Sequence, residues 1–133
     1  MKITRTSTSI RDERGEITDI LVNENIEHVT MITSAQGTTR GNHYHKETVQ
    51  YVYILKGRMK LLTQFPEEPV VSAVLEVGDV ALTEPNERHA MEALEDSAFL
   101  VFTRGVRGGN DYERDTFRLS APLKEEVITG AQR

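Results

Sequence analysis

At 133 residues the chain has room for one domain with a core of its own. It contains no cysteine, which excludes disulfide scaffolds, thiolate metal sites and cysteine nucleophiles and leaves nitrogen and oxygen atoms to carry any chemistry. A formal net charge of -5, with basic residues scattered singly, provides no stripe to follow a phosphate backbone, so no nucleic-acid partner is expected, although single arginines could hold one small phosphorylated ligand.

The opening Met1-Lys2-Ile3-Thr4-Arg5 runs into polar residues, and no later stretch approaches the length of a membrane span. A soluble, cytoplasmic protein with no membrane partner is the expectation. Short apolar-alternating runs, each ended by Gly, Pro, Asn or Asp, recur along the chain, which is the pattern of an all-β sandwich or barrel. Residues 3–10 and 16–22, on either side of the turn Arg11-Asp12-Glu13-Arg14-Gly15, read as an N-terminal hairpin. Residues 28–34 read as the next strand. Residues 35–42, with two glycines among small polar residues, read as a rim loop, and a further strand starts at His43.

Side chains alternate along a strand, so residues 50–55 present Gln50, Val52 and Ile54 on one face and Tyr51, Tyr53 and Leu55 on the other. Neither face is polar. If one lines the interior, the other is covered by the N-terminal hairpin or by a second subunit, and a homodimer is the first expectation. Strands follow at 58–65, 70–77, 80–83, 89–94 and 98–104, separated by Gly57, the Pro66-Glu67-Glu68-Pro69 loop, the Gly78-Asp79 turn, a second rim loop at Pro85-Asn86-Glu87-Arg88, and Glu95-Asp96-Ser97. Beyond Gly105, residues 111–119 read as a last strand and residues 120–129 as a short terminal helix capped by Ser120. With no internal repeat or linker, residues 1–133 are read as one domain.

His43 and His45 are two apart, so on a strand both imidazoles point to the same side, within reach of one ion or one substrate atom. Taken alone, the pair suits a packing role as well as a functional one. Its surroundings say more. Gly37 lies six residues before His43, Gln50 five after His45, and Gly57 seven after Gln50; this spacing, over residues 37–57, resembles the first motif of the cupin superfamily, with Gln50 replacing its usual Glu. Residues 78–93 are similar to the second motif through Gly78-Asp79, Pro85 and His89, with Glu87 where Gly is usual and Ala93 where Asn closes the motif. The resemblance is to the RmlC-like jelly rolls of that superfamily. It implies an all-β, single-domain cupin barrel in which His43, His45, Gln50 and His89 face one cavity. His28 has no such context and is read as a surface or structural residue.

Three neutral imidazoles can ligate one divalent metal (Zn, Fe, Ni, Cu or Mn) and leave positions open for water or substrate. The candidate metal set is His43, His45, Gln50 and His89. Gln50 speaks against a tight site, because an amide oxygen supplies no charge to offset the cation.

The local string Arg40-Gly41-Asn42-His43-Tyr44-His45-Lys46, with Gln50 beyond it and an aromatic beside that, resembles the nucleotide-sugar 3,4-ketoisomerases among cupins, which act on thymidine-diphosphate 4-keto-6-deoxyhexoses. Arg14-Gly15 ahead of Ile20 and the string Asp111-Tyr112-Glu113-Arg114-Asp115 are also similar to that group and to neighbouring polysaccharide-biosynthesis cupins, while Tyr44 departs from the commoner alanine. This resemblance implies chemistry without metal or other cofactor: a carbonyl moves between adjacent sugar carbons through an enediol, with His43 and His45 as the acid/base pair. Arg40 is the candidate for the diphosphate, suited by its planar fork, and Arg88 is a second substrate-binding candidate because it adjoins His89. The expected partner is a small molecule, a sugar nucleotide used in polysaccharide or secondary-metabolite synthesis. Two other functions stay open, a metal-dependent cupin (oxygenase, isomerase or lyase) and a non-catalytic ligand-binding barrel.

Overall fold

Over residues 28–34 and 49–104, strands form where the apolar alternation places them. The computed structural model describes residues 1–105 and 113–125. Its strands are β1 (Lys2–Arg5), β2 (Ile10–Asp12), β3 (Gly15–Ile17), β4 (His28–Ser34), β5 (Thr39–Tyr44), β6 (Val49–Lys56), β7 (Arg58–Gln64), β8 (Val71–Glu76), β9 (Asp79–Thr83), β10 (Arg88–Ala93), β11 (Ser97–Arg104) and β12 (Phe117–Arg118). They make two five-stranded antiparallel sheets, ordered β1-β9-β6-β11-β4 and β12-β5-β10-β7-β8, with β2-β3 as a separate hairpin. This is the all-β jelly-roll barrel of the cupin type. No helix is found among the described residues, and hence none long and apolar enough to cross a membrane.

The inward positions of both sheets meet in one core. Val52, Ile54, Ala81, Phe99 and Val101 come from the first sheet and Met59, Leu61, Leu75, Met91 and Ala93 from the second. Burying each large apolar side chain contributes about 1.5–3 kcal/mol, and this floor offsets the cost of a polar end to the barrel. Of the four phenylalanines only Phe99 is fully buried. Phe102 lies on the outer face of its sheet, and Phe117 stacks on Tyr44 at 5.4 Å between ring centroids.

The predicted second face of β6 is covered in part. Tyr51 and Tyr53 are half-buried while Leu55 is exposed. The Tyr51 hydroxyl donates to Glu24 at 2.8 Å, so the segment after the hairpin, rather than the hairpin itself, lies against this face.

Three expected elements differ. Residues 3–10 are not one strand: Lys2–Arg5 pairs with β9, and the hairpin is confined to Ile10–Asp12 and Gly15–Ile17. The strand expected to start at His43 starts at Thr39. The C-terminal helix expected over 120–129 is absent from its described part, residues 120–125. The reason is that backbone donors there are spent elsewhere. Leu119 N–H donates to the Asn42 carbonyl at 2.9 Å, Leu123 N–H donates to Asn42 Oδ1 at 2.8 Å, and Pro122 has no N–H. Glu125 then pairs with Lys60 of β7, so the segment crosses the outer face of the second sheet. Residues 126–129 of that expected helix, and residues 111–112 of the expected last strand, lie outside the described residues; of that strand only Phe117–Arg118 pairs.

Gly41 explains why β5 reaches so far back. It has φ +97°, and a Cβ placed on it would lie 2.8 Å from the His89 carbonyl oxygen and 3.1 Å from Ala90 Cα. Asn42, at φ 57°, is the extra residue of a β-bulge, since His43 pairs with His89 and Gly41 with Ala90. A glycine that looks like loop chemistry in the sequence is thus a close-approach site within a ladder.

Candidate active site

The bulge sets His43 directly opposite His89. His43 comes from β5, His45 lies one residue beyond that strand's end, and His89 comes from β10. Their rings cluster: centroids are 5.0 Å apart for His43 and His45, 4.6 Å for His43 and His89, and 5.2 Å for His45 and His89. One ring nitrogen from each lies within 4.8 Å of the others. His45 and His89 are buried and His43 is half-buried.

Backbone carbonyls fix two of these rings. His45 Nδ1 donates to the Asp115 carbonyl at 2.9 Å and His89 Nδ1 to the Glu87 carbonyl at 3.1 Å. A carbonyl only accepts, so each neutral ring carries its proton on Nδ1 and keeps the lone pair on Nε2. Glu87, which stands where the second motif usually has Gly, is 1% exposed. Its Oε1 accepts the Glu84 N–H at 3.0 Å, closing the rim turn that presents His89.

A cavity of about 350 Å³ opens beside this cluster. His43, His89, Gln50 and Thr83 are polar groups on its wall, Arg40 and Arg118 are its cations, and Val52, Leu61, Met91 and Phe99 are among its apolar lining. Gln50 and Thr83 are register partners on β6 and β9, so the second sheet supplies imidazoles and the first supplies an amide and a hydroxyl. His45 is in ring contact with the other two histidines but is not part of the cavity wall.

Arg40 lies at the cavity, as the sequence suggests, with Nε donating to Ser34 Oγ and Nη2 to the Thr33 carbonyl, both at 2.9 Å. Arg88 does not. Neighbouring residues on a strand point to opposite faces, so with His89 inward Arg88 faces outward, its guanidinium 4.4 Å from the Tyr44 ring centroid and one Nη1 donating to the Asn86 carbonyl. Asp79 keeps the local role its turn implies, accepting the Glu76 N–H at 2.8 Å, and also pairs with Arg5 at 3.1 Å.

Sequence reasoning misses Thr83, Arg118 and Asp115. Arg118 is the register partner of His43 on β12, which brings it to the cavity, and Glu113 pairs with it at 2.7 Å. Asp115 is buried against residues 46–48. Burial raises its carboxyl pKa, but hydrogen bonds from the Thr48 hydroxyl and from the N–H groups of Glu47, Lys46 and Thr48 outweigh that, and the net result lies below the usual carboxylate value. Thr83 could be found from strand alternation after Gly78-Asp79. Arg118 has no local signal, because its place depends on pairing with β5.

The donor set also fits one divalent ion. Three imidazole nitrogens at this spacing, two with Nδ1–H held by carbonyls, form the kind of oriented ligand group that metal-binding histidines use. Among the described residues no carboxylate joins that group, and buried Gln50 brings no charge.

Solved structures share this architecture. QdtA, a sugar 3,4-ketoisomerase from Thermoanaerobacterium thermosaccharolyticum in complex with TDP, matches with TM-score 0.73 and 23% identity over 90% of this chain and 88% of that one. The dTDP-4-dehydrorhamnose 3,5-epimerase from Sulfolobus tokodaii matches with TM-score 0.68 and 23% identity over 90% and 80%. The RmlC epimerase of Mycobacterium tuberculosis gives TM-score 0.75 and 15% identity over 97% and 76%. No curated protein matches in sequence. The family profile described as the polysaccharide biosynthesis C-terminal domain matches residues 10–84. With more than half of its length so matched, on an RmlC-like cupin barrel, the chain belongs to the polysaccharide biosynthesis C-terminal domain family.

Proposed function

We propose that the protein is an enzyme acting on a nucleotide-linked 4-keto sugar, a 3,4-ketoisomerase or an epimerase, by histidine acid/base chemistry in polysaccharide or secondary-metabolite synthesis. The observation that carries this reading is the wall that sets His43 and His89 beside Gln50 and Thr83, with two arginines on the same cavity. Imidazoles suit a reaction that takes a proton from carbon and returns it, since both protonation states are available near neutral pH. The relatives in fold include enzymes named for both reactions.

In the isomerisation, a basic imidazole Nε2 removes the C3 proton of the 4-keto sugar, and the C3–H electron pair forms the C3–C4 double bond of an enediol as the C4 oxygen gains a proton. Return of a proton to C4, with loss of the O3 proton, leaves the ketone at C3; return to the opposite face of the original carbon gives epimerisation. His43 and His89 are proposed to face the sugar. His45, assigned with His43 to the acid/base pair from the sequence, has its place in the ring cluster and tunes or relays through His43. In this reading Gln50 and Thr83 hydrogen-bond sugar oxygens, and Arg40 and Arg118 hold the diphosphate. Arg88 drops out of the substrate set.

A second reading is favoured by the three nitrogens within 4.8 Å: a metal-dependent cupin with His43, His45 and His89 as ligands and Gln50 beside them. When bound, the ion would polarise a substrate oxygen as a Lewis acid. Chelation separates the two readings, because the acid/base enzyme turns over thymidine-diphosphate 4-keto-6-deoxyhexose in excess chelator and the metalloenzyme does not. A protein that binds thymidine diphosphate and converts no keto sugar under either condition would be a binding barrel.

The same proposal takes residues 1–133 as one domain and the cytoplasm as its place of work, as suits a chain without cysteine. It also takes the outer face of the first sheet, where Val29 and Met31 are 61% and 65% exposed in rows with Phe102, Tyr51 and Leu100, Tyr53, as a homodimer contact.

A further inference from the structure

Asp115 makes two kinds of contact with one short stretch of chain. Its carboxylate accepts hydrogen bonds from the N–H groups of Lys46 (3.1 Å), Glu47 (3.0 Å) and Thr48 (2.9 Å) and from the Thr48 hydroxyl (2.7 Å). Its carbonyl accepts from His45 Nδ1. Both Asp115, 7% exposed, and Thr48, 1% exposed, are buried. His45 lies past the end of β5, so ladder bonds do not reach it. Its backbone is held instead by the Asn86 N–H, which donates to the His45 carbonyl at 2.6 Å. The ring is held from a segment 70 residues further along the chain.

We propose that Asp115 is the positioning residue of His45: its carboxylate pins residues 46–48, and that anchorage holds its carbonyl where it keeps the His45 proton on Nδ1 and leaves Nε2 as the working nitrogen. A carbonyl on a loose turn cannot select a tautomer, because the ring can flip or the carbonyl can move away. Four charge-assisted bonds to one buried carboxylate make the turn stiff. The consequence is that the C-terminal segment, remote from the histidine motif in sequence, belongs to the machinery of the site. Partners that orient a functional histidine in this way typically change activity by about 10–100-fold when removed.

The effect on turnover rests on the proposed acid/base reading, whereas the tautomer does not, and the test keeps them apart. Full-length protein labelled with ¹⁵N-histidine is examined by NMR at a pH where its imidazoles are neutral, with His45 assigned by its loss in His45→Asn. Three forms are compared: wild type, Asp115→Asn and Thr48→Val. Asparagine removes the charge and sets an NH₂ against the donor that faces one of the two carboxylate oxygens, Lys46 N–H if the amide oxygen keeps the other three bonds, and so loosens the anchorage. Valine removes only the hydroxyl bond, keeps the shape, and covers the case in which Asp115→Asn does not fold.

Wild type is expected to show His45 protonated on Nδ1. Both variants shift its population toward Nε2–H, Thr48→Val by less, while His89, held by the Glu87 carbonyl, stays unchanged. With the keto sugar as substrate, Asp115→Asn lowers kcat about 10–100-fold with KM little changed. Folded variants that keep the wild-type His45 tautomer overturn the proposal. Absence of turnover in the wild type, with the tautomer shift observed, overturns the functional reading and supports the positioning role.

Discussion

His43 and His89 are direct partners across the β5–β10 ladder, with ring centroids 4.6 Å apart, because Asn42 is the extra residue of a bulge at Gly41. The site geometry therefore depends on a residue with no side chain. Gly41→Ala places a methyl group 2.8 Å from the His89 carbonyl oxygen at a φ of +97°. The strands must separate or the bulge must move. The expected outcome is a loss of about 1–3 kcal/mol in stability, read from urea unfolding, together with a fall in turnover.

His43→Ala and His89→Ala should each lower kcat by about 10²–10⁴-fold, the range for removal of a general acid or base, without loss of the folded β-sheet signal in circular dichroism. His43 is half-buried, so its removal leaves a hole that water can fill. A variant that keeps wild-type turnover takes that histidine out of the proton-transfer role.

Replacing Gln50 by Glu supplies the negative charge that the three-imidazole cluster lacks. Gln50→Glu is expected to bind Zn²⁺ or Mn²⁺ at least about 10-fold more tightly than wild type, since a carboxylate offsets cation charge where an amide does not. Titration calorimetry with each ion measures this. Equal affinities would mean that Gln50 lies outside the reach of an ion held by the histidines.

Arg40 and Arg118 approach the cavity from β5 and β12, and each is already oriented, Arg40 by Ser34 and Thr33 and Arg118 by Glu113. Both are exposed. Truncation of either to Ala should weaken binding of thymidine diphosphate by about 10-fold, the scale of one charge-assisted hydrogen bond, and flatten its salt dependence. Arg88→Ala, whose guanidinium lies over Tyr44 on the outer face, should leave that affinity unchanged.

Asp115 sets an expectation for acid stability. Its folded carboxyl titrates below the usual carboxylate value, so the unfolded chain binds more protons in the interval between the two. Stability therefore rises with pH across that interval. The contribution is complete above the unfolded value of about 4 and is lost as pH falls through the lower folded one. Thermal melts of wild type should drop on acidification below about pH 4 more steeply than those of Asp115→Asn, which starts lower at neutral pH.

Much of the site is legible in the sequence because it rests on local spacing. His43 and His45 two apart, Gln50 on the next strand and His89 after the Gly78-Asp79 and Pro85 turns fix their registers through strand alternation and turn chemistry. The strand boundary at Thr39 is hidden, since Gly37 and Gly41 both suit a loop, and only the close approach to His89 and Ala90 shows that Gly41 serves a ladder. Arg118 and Asp115 are placed by contacts with residues 42–48 from the far end of the chain. No window of sequence contains both partners. Over its described residues, 120–125, the expected terminal helix is misread for the same reason, as the donors of Leu119 and Leu123 go to Asn42 rather than along the chain.

Histidine acid/base chemistry on the sugar is measured by incubating the protein with thymidine-diphosphate 4-keto-6-deoxyglucose in D₂O with excess chelator and following the sugar ring by NMR. The carbonyl is expected to move between C4 and C3, or a carbon beside the ketone to invert, with deuterium entering at the reacting carbon, and His43→Ala is expected to abolish both. Absence of exchange in chelator, with exchange restored by one particular divalent ion, would contradict that chemistry and assign the three histidines to a metal.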